Sequence, residues 1–108
     1  MTTQIAWFLL LIAGLLEIVW AVGLKFTEGF TRPWPSVLTL VAMVLSVALL
    51  AHIVRVLPVG TAYAVWTGIG ALGTFLVGIA VFGEPSNALR VGCIAMIVVG
   101  TLGLKFAA

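Results

Sequence analysis

Glu17 is the residue of this chain best placed to do chemistry, because it is an acid inside a long apolar segment. That segment, residues 5–24, contains no other charged side chain. A charged group at mid-membrane depth costs roughly 2.5–3.5 kcal/mol on insertion scales, so an acid retained there indicates a functional site. The nearest cation in the sequence, Lys25, lies about 12 Å further along a helix. Glu17 could therefore hold a proton or a cationic ligand; the alternative is a protonated glutamate that only forms an interhelical hydrogen bond.

Further polar side chains reach the same depth if their segments are helical. Residues at helical spacing are Thr39, Met43 and Ser46 in one segment, and Gly60, Tyr63, Thr67, Gly70 and Thr74, with Trp66 on their flank, in the next. These faces could converge on Glu17. Serine also commonly bonds to its own helix, so a structural role for Ser46 stays open. Tyr63 and Trp66 need polar partners when buried; alternatively they are aromatic residues of the membrane interface near Pro58.

The third segment is rich in glycine, with Gly68 and Gly70 near its middle. Glycine weakens a helix and allows it to bend. A helix that bends beside a binding site suits alternating access, so we predict a conformational hinge at Gly68 and Gly70. Close packing against a neighbouring helix is the alternative reading of the same residues.

The elements that carry these residues are predicted from composition and length. The chain has 108 residues, of which 64% are hydrophobic and only 7% charged, whereas soluble domains are typically about 45–50% apolar and about 25% charged. About 20 apolar residues cross a bilayer as a helix. The sequence therefore predicts an all-α integral membrane protein, one four-helix domain over residues 1–108. The four spans are 5–24, 36–54, 59–82 and 88–106, separated by turn-rich breaks at 31–35, Pro58 and 83–87.

Several function classes are excluded by what the chain lacks. A single cysteine rules out a disulfide framework and a multi-thiolate metal site. A scattered net charge of +2 does not form a nucleic-acid surface. No phosphate-binding loop and no nucleophile–base pair is present, so we expect neither an enzyme nor a cofactor. The first span does not read as a signal peptide, because residues 1–6 have no lysine or arginine and Glu17 interrupts it.

The cations are almost balanced between the two sides of the membrane. Four spans place Arg55 and Lys105 on one side, and Lys25, Arg32 and Arg90 on the other. Since orientation normally follows an excess of lysine and arginine on the cytoplasmic side, two readings remain open. One is a weakly specified single topology, and the other is dual topology with antiparallel pairing.

Four short helices hardly enclose a polar pathway, so we expect an oligomer. The fourth span offers a contact surface, because Cys93 and Gly100 are small and seven residues apart on one face. Small residues allow helices to approach closely in lipid. We therefore predict Cys93 and Gly100 at a dimer interface.

Over essentially its whole length the chain resembles the small multidrug resistance family of bacterial transporters. The stretches that carry the resemblance are Gly14-Leu-Leu-Glu17, Trp20-Ala-Val-Gly-Leu-Lys25, Gly29-Phe-Thr-Arg32 with Pro35-Ser36, and Leu57 to Gly70. Trp20 one turn after Glu17, the Leu24-Lys25 pair and Gly68-Ile-Gly-Ala-Leu-Gly73 are similar to the guanidinium-exporter subtype. Cys93 departs from the pattern, since relatives often have glycine there, which puts the tightness of the dimer contact in doubt.

The resemblance implies an antiparallel, dual-topology homodimer in a bacterial inner membrane, surrounded by lipid. It also implies that Glu17 from both subunits is shared by substrate and protons, and that Trp20, Ser46, Tyr63 and Trp66 line the site. The expected function is proton-coupled export of guanidinium or small guanidinyl cations, because a carboxylate can accept two parallel N–H bonds from such an ion. Alternatives are a quaternary-ammonium multidrug antiporter, which aromatic faces would suit, a dual-topology ion channel, and a structural subunit of a larger complex.

Overall fold

The computed structural model of the protein describes residues 1–107 and consists of four helices. They are α1 (Thr3–Phe26), α2 (Pro33–Ile53), α3 (Val59–Phe82) and α4 (Ala88–Ala107). Each is long and apolar enough to cross a membrane. The predicted all-helical architecture with four membrane-spanning segments is confirmed.

Local chemistry at the helix ends explains where each helix begins and stops. The Thr2 hydroxyl accepts from the Ile5 N–H at 3.2 Å and caps α1. The sequence offers Ser86 or Asn87 as the cap of α4, and it is Asn87 Oδ1 that accepts from the Arg90 N–H at 3.0 Å. α3 ends at Phe82. The next residue, Gly83, has a φ of 65°, the left-handed conformation that glycine favours just after a helix.

The start of α2 differs from the sequence prediction, which placed both prolines of residues 31–35 in a break. Pro33 is instead the first residue of α2, and Pro35 lies in its first turn. The prediction was wrong for these two residues because the first N–H groups of a helix have no intrahelical acceptor, so proline costs nothing there.

The helices lie side by side in the order α2, α1, α3, α4. α1 packs extensively on both α2 and α3, whereas α4 packs on α3 and makes no comparable contact with α1 or α2 within residues 1–107. The molecule measures 39 × 35 × 16 Å. A closed bundle of four helices with axes 8–10 Å apart would be about as wide as it is thick. The chain is therefore an open layer with two accessible faces.

The core lies at one end of this layer, around the N-terminal half of α1. Ala6, Leu10 and Ala13 of α1 pack there against the C-terminal end of α2 and the start of α3. By contrast, no residue of α4 is buried over Ala88–Ala107. α1 is thus held firmly between its neighbours, while α4 is attached along one side only.

Candidate functional site

Glu17 lies in the interface between α1 and α3, and its side chain is 8% exposed. It packs directly against the backbone of Gly70 of α3. A Cβ atom at residue 70 would lie 2.8 Å from Glu17 Cγ and would collide with the Glu17 carboxyl group. Gly70 is therefore needed for the carboxyl group to occupy this position.

Ser46 fastens three helices together beside Glu17. Its hydroxyl is fully buried and donates to the backbone oxygen of Ala13 at 2.7 Å. The indole N–H of Trp66 donates in turn to Ser46 Oγ at 3.0 Å. Ala13 precedes Glu17 by one helical turn and Trp66 precedes Gly70 by one turn, so this chain of hydrogen bonds runs past the carboxylate on the side towards the N-terminus of α1. It also fixes the orientation of the Trp66 ring.

Three aromatic rings form a continuous row along the same site. The ring centroids of Tyr63 and Trp66 are 5.7 Å apart, and those of Trp66 and Trp20 are 6.5 Å apart. Trp66 is 7% exposed, but Tyr63 is 58% exposed at the open end of the row. The Trp20 N–H is buried and has no acceptor among residues 1–107. The row thus offers aromatic faces and one unsatisfied donor.

Other polar residues of the predicted faces lie elsewhere. Thr39 is buried, but its hydroxyl lies where a Cβ at Gly23 would lie, between α1 and α2. The Thr74 hydroxyl is buried one turn beyond Gly70 and has no partner among the described residues. Neither belongs to the hydrogen-bonded cluster of Ser46 and Trp66.

The structure gives both glycines of the predicted hinge a packing role. α3 is an unbroken helix through Gly68 and Gly70. Thr101 of α4 lies where a side chain at residue 68 would be, and Glu17 lies where one at residue 70 would be. Bending at these residues stays a prediction, whereas the structure shows close packing at both of them.

Both lysines lie near helix ends, over aromatic rings. Lys25 Nζ is 5.0 Å from the centroid of Phe82, and Lys105 Nζ is 5.2 Å from that of Trp7. Within residues 1–107, no group of three or more histidine, cysteine or acidic side chains could hold a metal ion. The arrangement therefore suits an organic cation or a proton at Glu17.

Two features of this site could not be read from spacing alone. Helical periodicity places Ala13 near Glu17, but nothing in the sequence pairs its carbonyl with Ser46. Likewise, the glycine-rich pattern of α3 does not reveal that one glycine, Gly70, is the surface against which the carboxylate packs. Both depend on the relative height of two helices, which only the folded chain defines.

The sequence is similar to known proteins over nearly all of its length. A family model described as Small Multidrug Resistance protein matches residues 5–99. A Guanidinium exporter of Escherichia coli K12 is 59% identical over 100 residues, covering 93% of this chain and 95% of the relative. Proteins of the same name from Proteus vulgaris and Salmonella typhimurium are 58% and 56% identical, covering 94% and 93% of this chain and 98% and 95% of the relatives.

Proposed function

Because the chain belongs to the small multidrug resistance family, we propose that it exports guanidinium or small guanidinyl cations in exchange for protons. The family and the four apolar helices make it a multi-pass transporter of the bacterial inner membrane. Its relatives are named as exporters rather than enzymes.

The observation that carries the proposal is the environment of Glu17. A nearly buried carboxylate lies beside aromatic faces, and the lysines of α1 and α4 are at the helix ends. Guanidinium is planar and its N–H donors match the two oxygens of a carboxylate. The rings of Trp20 and Trp66 add attraction for a cation that approaches their faces.

Ser46 is prepared to act as an acceptor. Its only proton is donated to the Ala13 carbonyl, and one lone pair accepts from Trp66. A hydroxyl oxygen has two lone pairs, so one remains to accept from a cation when the helices part, since Ser46 is fully buried in this conformation. Guanidinium has donors and no acceptor, and Ser46 therefore complements it as Glu17 does. A neutral ligand that needs a donor would find none on this hydroxyl.

Protons and substrate would compete for Glu17. The ionised carboxylate accepts the N–H bonds of the cation, whereas the protonated group has lost its charge and one acceptor position. Proton binding from one side would then release the cation, and cation binding would release the proton. Exchange follows if the site opens to the two sides alternately, with the two ions sharing one group.

An antiparallel homodimer would complete the site. The chain is an open layer, and α4 has no buried residue over Ala88–Ala107, so α4 is left without full cover. A second copy packed on α4, with Cys93 and Gly100 at the contact, would place its own layer over the first. Dual topology would also account for the balanced cations.

Competition in proteoliposomes tests the proposed substrate. Purified protein is reconstituted, and uptake of labelled guanidinium driven by an outward proton gradient is measured. Excess unlabelled guanidinium should suppress uptake, while the same excess of a tetraalkylammonium ion should not. Suppression by both ions would favour the quaternary-ammonium alternative. Ionic current without any proton gradient would indicate a channel.

A further inference from the structure

A recess lies between α1 and α2, away from Glu17. Val19, Gly23 and Phe26 of α1 and Leu38 and Thr39 of α2 line it, and its volume is about 330 Å³. Phe26 follows Glu17 by nine residues, which at 100° per residue places it on the opposite side of α1. This α1–α2 groove is therefore not part of the transport site, and it opens on the other face of the layer.

The groove has a closed floor and apolar walls. A Cβ at Gly23 would collide with the Thr39 side chain, so glycine at this position allows α1 and α2 to meet and seal the bottom. Val19 is 57% exposed and Leu38 65% exposed along the rim. In a membrane this surface faces hydrocarbon, and a recess of this kind accommodates part of an acyl chain better than it accommodates water.

One cation stands at the end of the groove, where the chain leaves the membrane. Arg32 is the only charged residue of the lining. It precedes the first residue of α2, its side chain is exposed, and the first turn of α2 contains no acid. The guanidinium group is thus exposed and available to a ligand.

We propose that the α1–α2 groove binds an anionic phospholipid, with the phosphate at Arg32 and an acyl chain between α1 and α2. Guanidinium forms paired hydrogen bonds with phosphate oxygens, and basic positions at the ends of membrane helices bind anionic headgroups. A zwitterionic lipid also has a phosphate, but its headgroup adds a cation for which the groove offers no acid. The order of apolar cleft and terminal arginine matches the order of chain and headgroup in a phospholipid.

Native mass spectrometry in mild detergent tests this site, with phosphatidylglycerol and phosphatidylcholine as the two lipids. The parent protein should retain phosphatidylglycerol in preference to phosphatidylcholine. Arg32→Gln should weaken phosphatidylglycerol binding by about tenfold or more, because a charge-assisted contact is lost. Arg90→Gln is the matched control, since Arg90 is also exposed at this end of the molecule but lies over the Phe75 ring, outside the groove.

A third variant distinguishes the contribution of the groove to lipid binding from that of the Arg32 charge. Val19→Trp fills the recess from an exposed position and leaves Arg32 in place, so it should also reduce phosphatidylglycerol retention. The proposal is overturned if Arg32→Gln and Arg90→Gln weaken binding equally, which would indicate diffuse attraction. Unchanged retention in Val19→Trp, or equal retention of both lipids by the parent, would overturn it as well.

Discussion

Substitution of Gly70 by alanine would displace the Glu17 carboxylate without removing any polar group. A Cβ at this residue would lie 2.8 Å from Glu17 Cγ, whereas ordinary contacts begin near 3.4 Å. Cγ must therefore retreat by roughly 0.6 Å, and the carboxyl group, which is closer still, by more. The obstacle is a flexible side chain and alanine is favoured over glycine in helices by about 1 kcal/mol, so the fold should be kept.

The expected consequence is weaker binding of guanidinium. Misplacing the carboxylate weakens charge-assisted hydrogen bonds worth about 1.5–3 kcal/mol, which corresponds to a rise in Kd of roughly 10- to 150-fold. Isothermal titration calorimetry of the purified protein measures this directly. Gly60→Ala is the matched control, because it lies on the same helix and a Cβ there would meet nothing within 4 Å.

Two outcomes would contradict this reasoning in different ways. Equal affinities of Gly70→Ala and Gly60→Ala would show that the carboxylate does not need the space at residue 70. Parental affinity combined with slow exchange in Gly70→Ala would instead assign this glycine to bending of α3, as the sequence alone predicts.

Three further predictions concern the hydrogen bonds, the proton and the dimer. Ser46→Ala should lower the free energy of unfolding by about 1–3 kcal/mol in SDS titrations, because the buried Trp66 N–H loses its acceptor; Ser36→Ala, at an exposed hydrogen bond within its own helix, should not. Guanidinium affinity should increase as pH rises, since protons leave the shared carboxylate; a pH-independent Kd would contradict competition. In an antiparallel dimer joined through Cys93 and Gly100, two Cys93 residues are about 10 Å apart along the axis, too far for a disulfide. Oxidation should therefore cross-link Gly100→Cys chains but not the parent, and a parental cross-link would indicate parallel packing.

The fold could be predicted from the sequence to the extent that it depends on hydropathy. Four apolar segments separated by turn residues predict four helices, and the cap of α4 could be narrowed to Ser86 or Asn87. The start of α2 could not be recognised from the sequence, because a proline in a first turn and a proline in a break look the same there. The lateral order of the helices also escapes hydropathy, since both faces of each helix are apolar.

Hydropathy and helical spacing also predict part of the candidate site. Glu17 stands out because an acid in an apolar segment is costly, and spacing places Ser46 and Trp66 at similar depth. The direction of each hydrogen bond depends on helix rotation, so the commitment of the Ser46 proton to Ala13 appears only in the structure. The contact of Glu17 with Gly70 depends likewise on the register of α1 against α3.

The proposed exchange of guanidinium for protons depends on one carboxylate, Glu17. The most direct measurement is proton flux from proteoliposomes, followed with an internal pH-sensitive dye after a guanidinium gradient is imposed. The parent and Glu28→Gln, a change at an exposed loop acid, should show guanidinium-driven proton flux, and Glu17→Gln should show none. Parental proton exchange by Glu17→Gln would show that Glu17 is not the group shared by guanidinium and protons.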